Sequence, residues 1–309
     1  MARLQHIDIA KGAGIILVVW GHSLIELGHY IIYMFHMPLF FYLSGIFHKS
    51  CQMEEFCEKR IKSLLIPLLI FMLALSPLIP FVEQSVLSIK PPHFSGIYGP
   101  LWFLLALFIV SILYHATLRI GPYKRLLLCF TISFILGYIP SLYGFKNYAY
   151  CFAAFSALGF YAIGNIIGDR YLACRSKWLV SLVFILSVAC VFLMYIIDYK
   201  IFNYGAVDMF DNSLMPNFGM FVVSALIGIV MVLSFSIVIS GNNRVARTLA
   251  FLGECSIYIF AFHMALMVLS RKYLPFQGLM FELCLILCSL ILGCVIGQLF
   301  KKTLPAVFK

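Results

Sequence analysis

Long stretches of apolar residues, each about the length that crosses a lipid bilayer, recur along almost the whole chain. A transmembrane helix needs roughly 20 mainly apolar residues, because each residue advances a helix by only about 1.5 Å. Ten stretches approach that length: Ile9–Leu27, Tyr30–Phe47, Ser63–Val82, Leu101–Leu118, Leu126–Ile139, Tyr148–Ile167, Trp178–Ile197, Phe218–Ser240, Ala250–Ser270 and Gln277–Phe300. The sequence therefore predicts an all-α polytopic membrane protein of about ten transmembrane helices, with residues 1–309 in a single domain.

The overall composition excludes a water-soluble fold. Hydrophobic residues make up 63% of the chain and charged residues 11%, whereas soluble domains have roughly 45–50% and 25%. The 22 basic residues outnumber the 12 acidic ones but form no basic domain, so nucleic-acid binding is not indicated. If the N-terminus is cytoplasmic, 17 of the 22 basic residues lie on the cytoplasmic side. By the positive-inside rule, this distribution predicts that both termini are cytoplasmic.

The ten cysteines predict neither a metal site nor a disulfide framework. They are scattered through the apolar stretches without paired spacing, and free cysteines pack there as small apolar side chains. The sequence does not indicate an oligomeric state.

Three histidines, His22, His36 and His263, fall inside the predicted helices, where an ionisable group is costly and marks a candidate functional site. His22 and His263 each follow the start of an outward-running helix by 13 residues, which is about 20 Å. His36 follows the start of an inward-running helix by six residues, or about 9 Å from the outer surface. All three are therefore predicted at one depth in the outer half of the bilayer. Each alone could instead be a packing histidine that hydrogen-bonds to a neighbouring helix.

Lys11 and His22 are predicted to share one face of the first helix. They are 11 residues apart, which makes about three turns and roughly 16 Å. Lys11 could bind phosphates at an inner mouth, or it could extend to the lipid headgroups. The basic segment Lys59–Lys62 could complete such a phosphate site, or it could anchor the third helix at the membrane surface.

Two other side chains also have two interpretations each. Glu26, one turn after His22, either orients the imidazole or lies at a solvated helix end. Trp102, at the start of the fourth predicted helix, either belongs to the aromatic belt of the membrane or forms a platform on which a sugar stacks.

Five blocks of sequence carry a family resemblance. They are Ile7–Gly12 (IDIAKG) with Val18–His22 (VVWGH), Phe35–Gly45 (FHMPLFFYLSG), Arg60–Pro67 (RIKSLLIP), Gly99–Leu104 (GPLWFL) and Leu252–Tyr258 (LGECSIY) with His263. Together they resemble the acyltransferase-3 family of membrane O-acyltransferases, and the first two blocks are nearest to its fucose 4-O-acetylase-like subgroup. The first helix of that family carries an arginine or lysine, ten further residues and a histidine, a pattern that Lys11 and His22 match. Lys11 stands where arginine is more common, which keeps the charge but loses the bidentate fork.

The resemblance implies a membrane O-acetyltransferase in the bacterial cytoplasmic (inner) membrane, which needs no metal. It would move an acetyl group from cytoplasmic acetyl-CoA to a hydroxyl of a sugar in a surface or lipid-linked glycan. His22 would be the general base or, as a variant, an acetyl carrier; His36 would be a second base, an orienting residue or an oxyanion donor. The other residues carried over are Lys11, Arg60 and Lys62 for the phosphates of acetyl-CoA, Trp102, Tyr258 and His263 for substrate contacts, and Asp8, Glu26 and Ser256 in supporting roles.

The main alternative is a transporter or flippase of glycan intermediates that performs no acyl transfer. Buried histidines and a basic inner mouth would also suit transport. Many transporters contain an inverted repeat, and neither the charges nor the helix pattern of this chain shows one. A purely structural scaffold would leave the three buried histidines without a role.

Overall fold

The computed structural model describes residues 5–82, 94, 96–171, 176–203 and 205–308. Over these residues the chain is all-helical, and its only β-type pairing is an isolated bridge between Asp208 and Ser213. The helices are α1 (Gln5–Gly21), α2 (Glu26–Tyr33), α3 (His36–Ile46), α4 (Met53–Phe81), α5 (Gly96–Ala116), α6 (Pro122–Leu142), α7 (Cys151–Tyr171), α8 (Lys177–Ile201), α9 (Phe218–Ile239), α10 (Arg244–Glu254), α11 (Ser256–Tyr273) and α12 (Leu279–Thr303).

Seven of the described helices are long and apolar enough to cross a membrane: α4, α5, α6, α7, α8, α9 and α12. The count becomes eight if α10 and α11, which meet at a bend of 75°, form one broken span. The first predicted span is a helix of 17 residues, α1, and the second is divided between α2 and α3. The chain is thus an all-helical membrane protein, while the total of about ten spans and the cytoplasmic position of both termini stay predictions.

A proline explains why the second predicted helix is broken. Pro38 has no N–H for the carbonyl of Met34, and its ring would clash with that carbonyl in a continuous helix. The chain turns at Met34 and Phe35, and α3 begins at His36 with Pro38 in its first turn. The break therefore places His36 at a helix start, facing α2 rather than lying within a continuous span.

Close backbone contact fixes α1 against α10. A methyl group added to Gly12 would lie 1.9 Å from the carbonyl oxygen of Leu249, and one added to Gly253 would lie 1.9 Å from that of Asp8. Small residues allow membrane helices to approach in this way. Because Lys11 lies on α1 and His22 directly follows its last residue, Gly21, this contact also helps to position both side chains.

The centre of the bundle is formed by α5 and α7, and α8 lies at its edge. Leu101, Val110 and Tyr161 on the central helices are fully buried. On α8, Ile185 and Leu186 are more than half exposed. An apolar surface of this kind is stable in lipid but not in water. The two cavities described below lie among α1, α3, α5 and α11.

Candidate active site

The first of two cavities, the outer cavity, has a volume of about 350 Å³ and contains two of the predicted catalytic residues. Its wall includes His22 just after α1, Tyr33 on α2, His36 on α3 and Trp102 on α5. Phe260, Met264 and Val268 of α11 complete one side, and residues 207–210 of the segment between α8 and α9 cover another. Residues distant in sequence thus line one cavity.

The three predicted histidines lie close together, and two of them, His22 and His36, line this cavity. The rings of His22 and His263 have centroids 5.2 Å apart, and Tyr33 lies between His22 and His36, with centroid separations of 5.9 and 4.7 Å. The Tyr33 hydroxyl and His22 Nδ1 are 3.2 Å apart and share a hydrogen bond. The sequence predicted one common depth in the bilayer for these histidines, which stays a prediction; that they lie side by side is a finding of the structure.

Hydrogen bonds to backbone carbonyls fix the tautomers of two of these histidines. His36 Nδ1 donates to Ile32 O at 3.0 Å, and His263 Nδ1 donates to Phe260 O at 2.9 Å. Since a carbonyl only accepts, both Nδ1 atoms carry a proton and each neutral ring has an acceptor at Nε2. Among the described residues, Nε2 of His263 is buried without a partner. The site therefore presents imidazole nitrogens able to accept a proton.

An ion pair between α11 and α12 holds the end of α1 where His22 is located. Arg271 and Glu282 form a bidentate pair, with Nε to Oε1 at 3.0 Å and Nη2 to Oε2 at 2.6 Å. Arg271 Nη2 also donates to His22 O at 3.2 Å, and Glu282 Oε2 accepts from Leu24 N at 3.1 Å. We call these two side chains the clamp. The clamp satisfies backbone groups that the helix end leaves without intrahelical partners.

The second cavity, the inner cavity, has a volume of about 410 Å³ and a charged wall. Lys11, Arg60 and Lys301 line it together with the carboxylates of Asp8 and Glu254. Lys11 Nζ lies 3.8 Å from Asp8 Oδ1 and 4.7 Å from the centroid of the Phe47 ring. Three cations from α1, α4 and α12 can act on one bound anion here.

The two cavities meet at Phe260, whose side chain lines both. Phe103 of α5 packs against Phe260 with ring centroids 5.3 Å apart, and it lines the inner cavity. The sequence predicted that Lys11 and His22 share one face of the first helix. In the structure they line two adjoining cavities, which Phe260 and Phe103 separate.

Comparison with known families shows which family the chain belongs to. The Acyl_transf_3 family model, described as an acyltransferase domain, matches residues 4–298, nearly the whole chain. The chain belongs to the acyltransferase-3 family. This confirms the resemblance at family level and implies acyl transfer in a membrane, while the fucose 4-O-acetylase-like subgroup stays a prediction. Searches of curated proteins and of solved structures find no significant match.

Within the acyltransferase-3 fold, a chain of hydrogen bonds holds Arg60 in the inner cavity. Arg60 Nη2 donates to Tyr161 Oη at 3.2 Å, and Tyr161 Oη is 2.8 Å from His48 Nδ1. His48 Nε2 is 3.1 Å from His115 Nδ1, and His115 Nε2 donates to Cys51 O at 3.1 Å. We call this chain the histidine relay.

The ends of the histidine relay determine the direction of every bond in it. A guanidinium only donates and a carbonyl only accepts, so with neutral imidazoles each proton has one possible position. Tyr161 then donates to His48, and His48 donates to His115. Burial lowers the pKa of His48 to about 3, so this arrangement persists at neutral pH.

Two residues that the family pattern assigns to the site, Lys62 and Tyr258, line neither cavity. Lys62 does not line the inner cavity; its ammonium pairs with Glu58 on the exposed side of α4, and Lys301 takes the place expected for it. Tyr258 is buried against Phe300 and Phe308, with ring centroids 6.0 and 5.4 Å away, and lines neither cavity. Neither Lys62 nor Tyr258 therefore lies where a ligand in either cavity would contact it.

The remaining predicted residues have these locations. Asp8 and Ser256 line the inner cavity, and Trp102 lines the outer cavity. His263 lies beside His22 at the edge of a separate apolar pocket between α11 and α12. The side chain of Glu26 lies outside the described part of the structure. Among the described residues, no group of three or more His, Cys, Asp or Glu side chains could hold a metal ion.

Sequence reasoning missed the clamp, the histidine relay, Lys301 and Asp208, which lines the outer cavity. For the clamp, the sequence did contain a signal. Glu282 is a carboxylate inside the apolar stretch Gln277–Phe300, and an ionisable residue at such a position is a functional candidate. His48 and His115 lie at the ends of apolar stretches, where polar residues are ordinary, so nothing distinguished them.

Proposed function

We propose that this acyltransferase-3 protein is an O-acetyltransferase. It takes the acetyl group from acetyl-CoA at the inner cavity and transfers it to a sugar hydroxyl, in a surface or lipid-linked glycan, at the outer cavity. The observation that carries the proposal is the pair of adjoining cavities with Phe260 between them. One is lined by three cations and two carboxylates, which leaves an excess of positive charge, and the other by His22 and His36. The proposal places the inner cavity on the cytoplasmic side, where acetyl-CoA is available.

The donor is bound by charge at the inner cavity. Lys11, Arg60 and Lys301 neutralise the phosphates of acetyl-CoA, and the histidine relay orients Arg60. Lys62 has no part in this proposal because it does not line the inner cavity. The pantetheine arm extends along α1 toward Phe260, whose side chain must turn aside before the thioester can reach the outer cavity.

Acetyl transfer then takes place beside His22. When Nδ1–H of His22 donates to the Tyr33 oxygen, Nε2 is free to accept the proton of the attacking sugar hydroxyl. The hydroxyl oxygen bonds to the thioester carbonyl carbon, the C–S bond breaks, and the imidazolium returns the proton to the departing thiolate. The products are a sugar acetate and CoA. His36 lies within the same cavity wall and supports the acceptor or the developing oxyanion.

The experiment uses membrane vesicles that contain the protein and labelled acetyl-CoA supplied on the cytoplasmic face. We expect label in an ester on a glycan, which mass spectrometry identifies. Vesicles with His22→Ala, matched for inserted protein, are the control and should lose at least about 100-fold in rate. If the wild-type protein forms no acetyl ester on any glycan, the enzyme proposal is wrong and a transporter or flippase becomes the better account.

A further inference from the structure

The outer cavity is covered by a short turn that the sequence motifs do not include. We call residues 207–213, between α8 and α9, the roof turn. Asp208 and Ser213 exchange two backbone hydrogen bonds of 2.7 Å across it. The side-chain amide of Asn147 donates to Met209 O at 2.7 Å and to Phe210 O at 2.8 Å. These bonds give the roof turn a defined conformation above the histidines.

The roof turn places Asp208 in the lining of the outer cavity, together with His22 and His36. Its Oδ1 accepts from Phe210 N at 2.8 Å and from Asp211 N at 3.4 Å. No other described group hydrogen-bonds the Asp208 side chain. Since a carboxylate can accept about four hydrogen bonds, Asp208 retains acceptor capacity that a ligand in the cavity can use.

Asp208 also sets the charge of the cavity. It is the only Asp, Glu, Lys or Arg among the described lining residues of the outer cavity. Arg271, whose guanidinium donates to His22 O, is neutralised by its bidentate pair with Glu282. Asp208 is partly buried, and burial raises the pKa of its carboxyl. A second negative charge close to this carboxylate would be repelled.

We infer that the outer cavity selects an acceptor sugar that carries no negative charge. Asp208 accepts hydrogen bonds from hydroxyls of that sugar and rejects a sugar with a carboxylate or phosphate of its own. Trp102, in the same wall, offers an aromatic side chain that can contact the apolar face of a neutral hexose. This inference rests on the proposed function, because it assumes that the acceptor occupies the outer cavity.

The test is a comparison of matched acceptors that differ only in charge. Octyl glycosides of several neutral hexoses are each paired with the octyl glycoside of the corresponding uronic acid, and transfer from labelled acetyl-CoA is measured. For the wild-type protein we expect kcat/KM to be roughly 10- to 100-fold higher for the neutral sugar, because the Asp208 carboxylate repels the carboxylate of the uronic acid.

Two variants on the same turn separate the role of Asp208 from a general effect on the loop. Asp208→Asn keeps an oxygen that can accept from Phe210 N but removes the charge. We therefore expect a higher KM for the neutral sugar and a smaller ratio of kcat/KM between the neutral sugar and the uronic acid. Asp211→Asn is the control. Its carboxylate is half exposed and lies 3.8 Å from Lys146 Nζ, outside the cavity lining, so the preference should stay unchanged.

Three results would overturn the inference. The first is a wild-type protein that acetylates uronic acids as well as or better than neutral hexoses. The second is an Asp208→Asn protein, folded by size-exclusion chromatography, that keeps the wild-type preference. In both cases acetyl transfer itself still supports the proposed function. Absence of transfer to every glycan is the third result, and it overturns the proposed function and this inference together.

Discussion

Replacing Glu282 by Gln tests whether the clamp holds the candidate base in place. The substitution keeps the shape of the side chain and removes its charge. In the wild-type structure the Glu282 carboxylate accepts two hydrogen bonds from Arg271 and one from Leu24 N, and Arg271 in turn donates to His22 O. A glutamine has one acceptor oxygen instead of two, and it leaves the guanidinium without a counter-charge.

The expected loss of stability follows from how deeply each partner is buried. The Glu282 side chain is 6% exposed and that of Arg271 is 24% exposed. Breaking a fully buried ion pair costs about 3–5 kcal/mol. Because Arg271 keeps some contact with solvent, we expect a decrease of about 2–3 kcal/mol in the free energy of unfolding. A shift of His22 by about 1 Å, once its carbonyl is released, would lower kcat by about 100-fold.

Thermal unfolding in detergent and acetyl transfer in membranes are measured on the same preparation. Glu55→Gln is the matched control, since Glu55 pairs with Lys59 on the solvent side of α4 and both side chains are more than half exposed. We expect that control to behave as the wild-type protein does. A Glu282→Gln protein with wild-type melting temperature and kcat would refute the reasoning. A lower melting temperature with unchanged kcat would show that the clamp stabilises the fold without positioning His22.

Three further predictions concern the other parts of the site. Lys11→Gln should raise the KM for acetyl-CoA by about tenfold, because one lost charged contact of about 1.4 kcal/mol corresponds to a factor of ten. Initial-rate measurements should show an unchanged KM for the acceptor. Equal changes in the two KM values would contradict the assignment of Lys11 to the donor site. His48→Leu should also raise the donor KM, because it interrupts the histidine relay that orients Arg60, whereas kcat should change little. The pKa of His48 is lowered to about 3 by burial, so the unfolded chain binds a proton there between about pH 6.5 and pH 3 while the folded one does not. Stability should therefore fall as pH decreases through that window, and thermal melts of His48→Leu should show a smaller dependence on pH than those of the wild-type protein.

The amino-acid sequence by itself determined the class of fold and the chemical elements of the site. Apolar stretches of membrane-crossing length predict helices, because a helix satisfies the hydrogen bonds of its backbone N–H and C=O groups within one segment, without help from water. The spacing of Lys11 and His22 on one helix, and the similar depths of His22, His36 and His263, followed from helix geometry alone. The family blocks supplied the expectation of acyl transfer, and the match over residues 4–298 agrees with it.

Only the tertiary structure decided which side chains meet across helices. Lys301 rather than Lys62 lines the inner cavity, and Asp208 lines the outer cavity from a turn that no motif marks. Arg271 finds Glu282 eleven residues later, and Arg60 is held through Tyr161, 101 residues away. The physical reason is that most of these helices are apolar on every side, so their sequences do not specify which face turns inward. That rotation is set by contacts such as the one between Gly12 and Leu249, which exist only after the helices have packed.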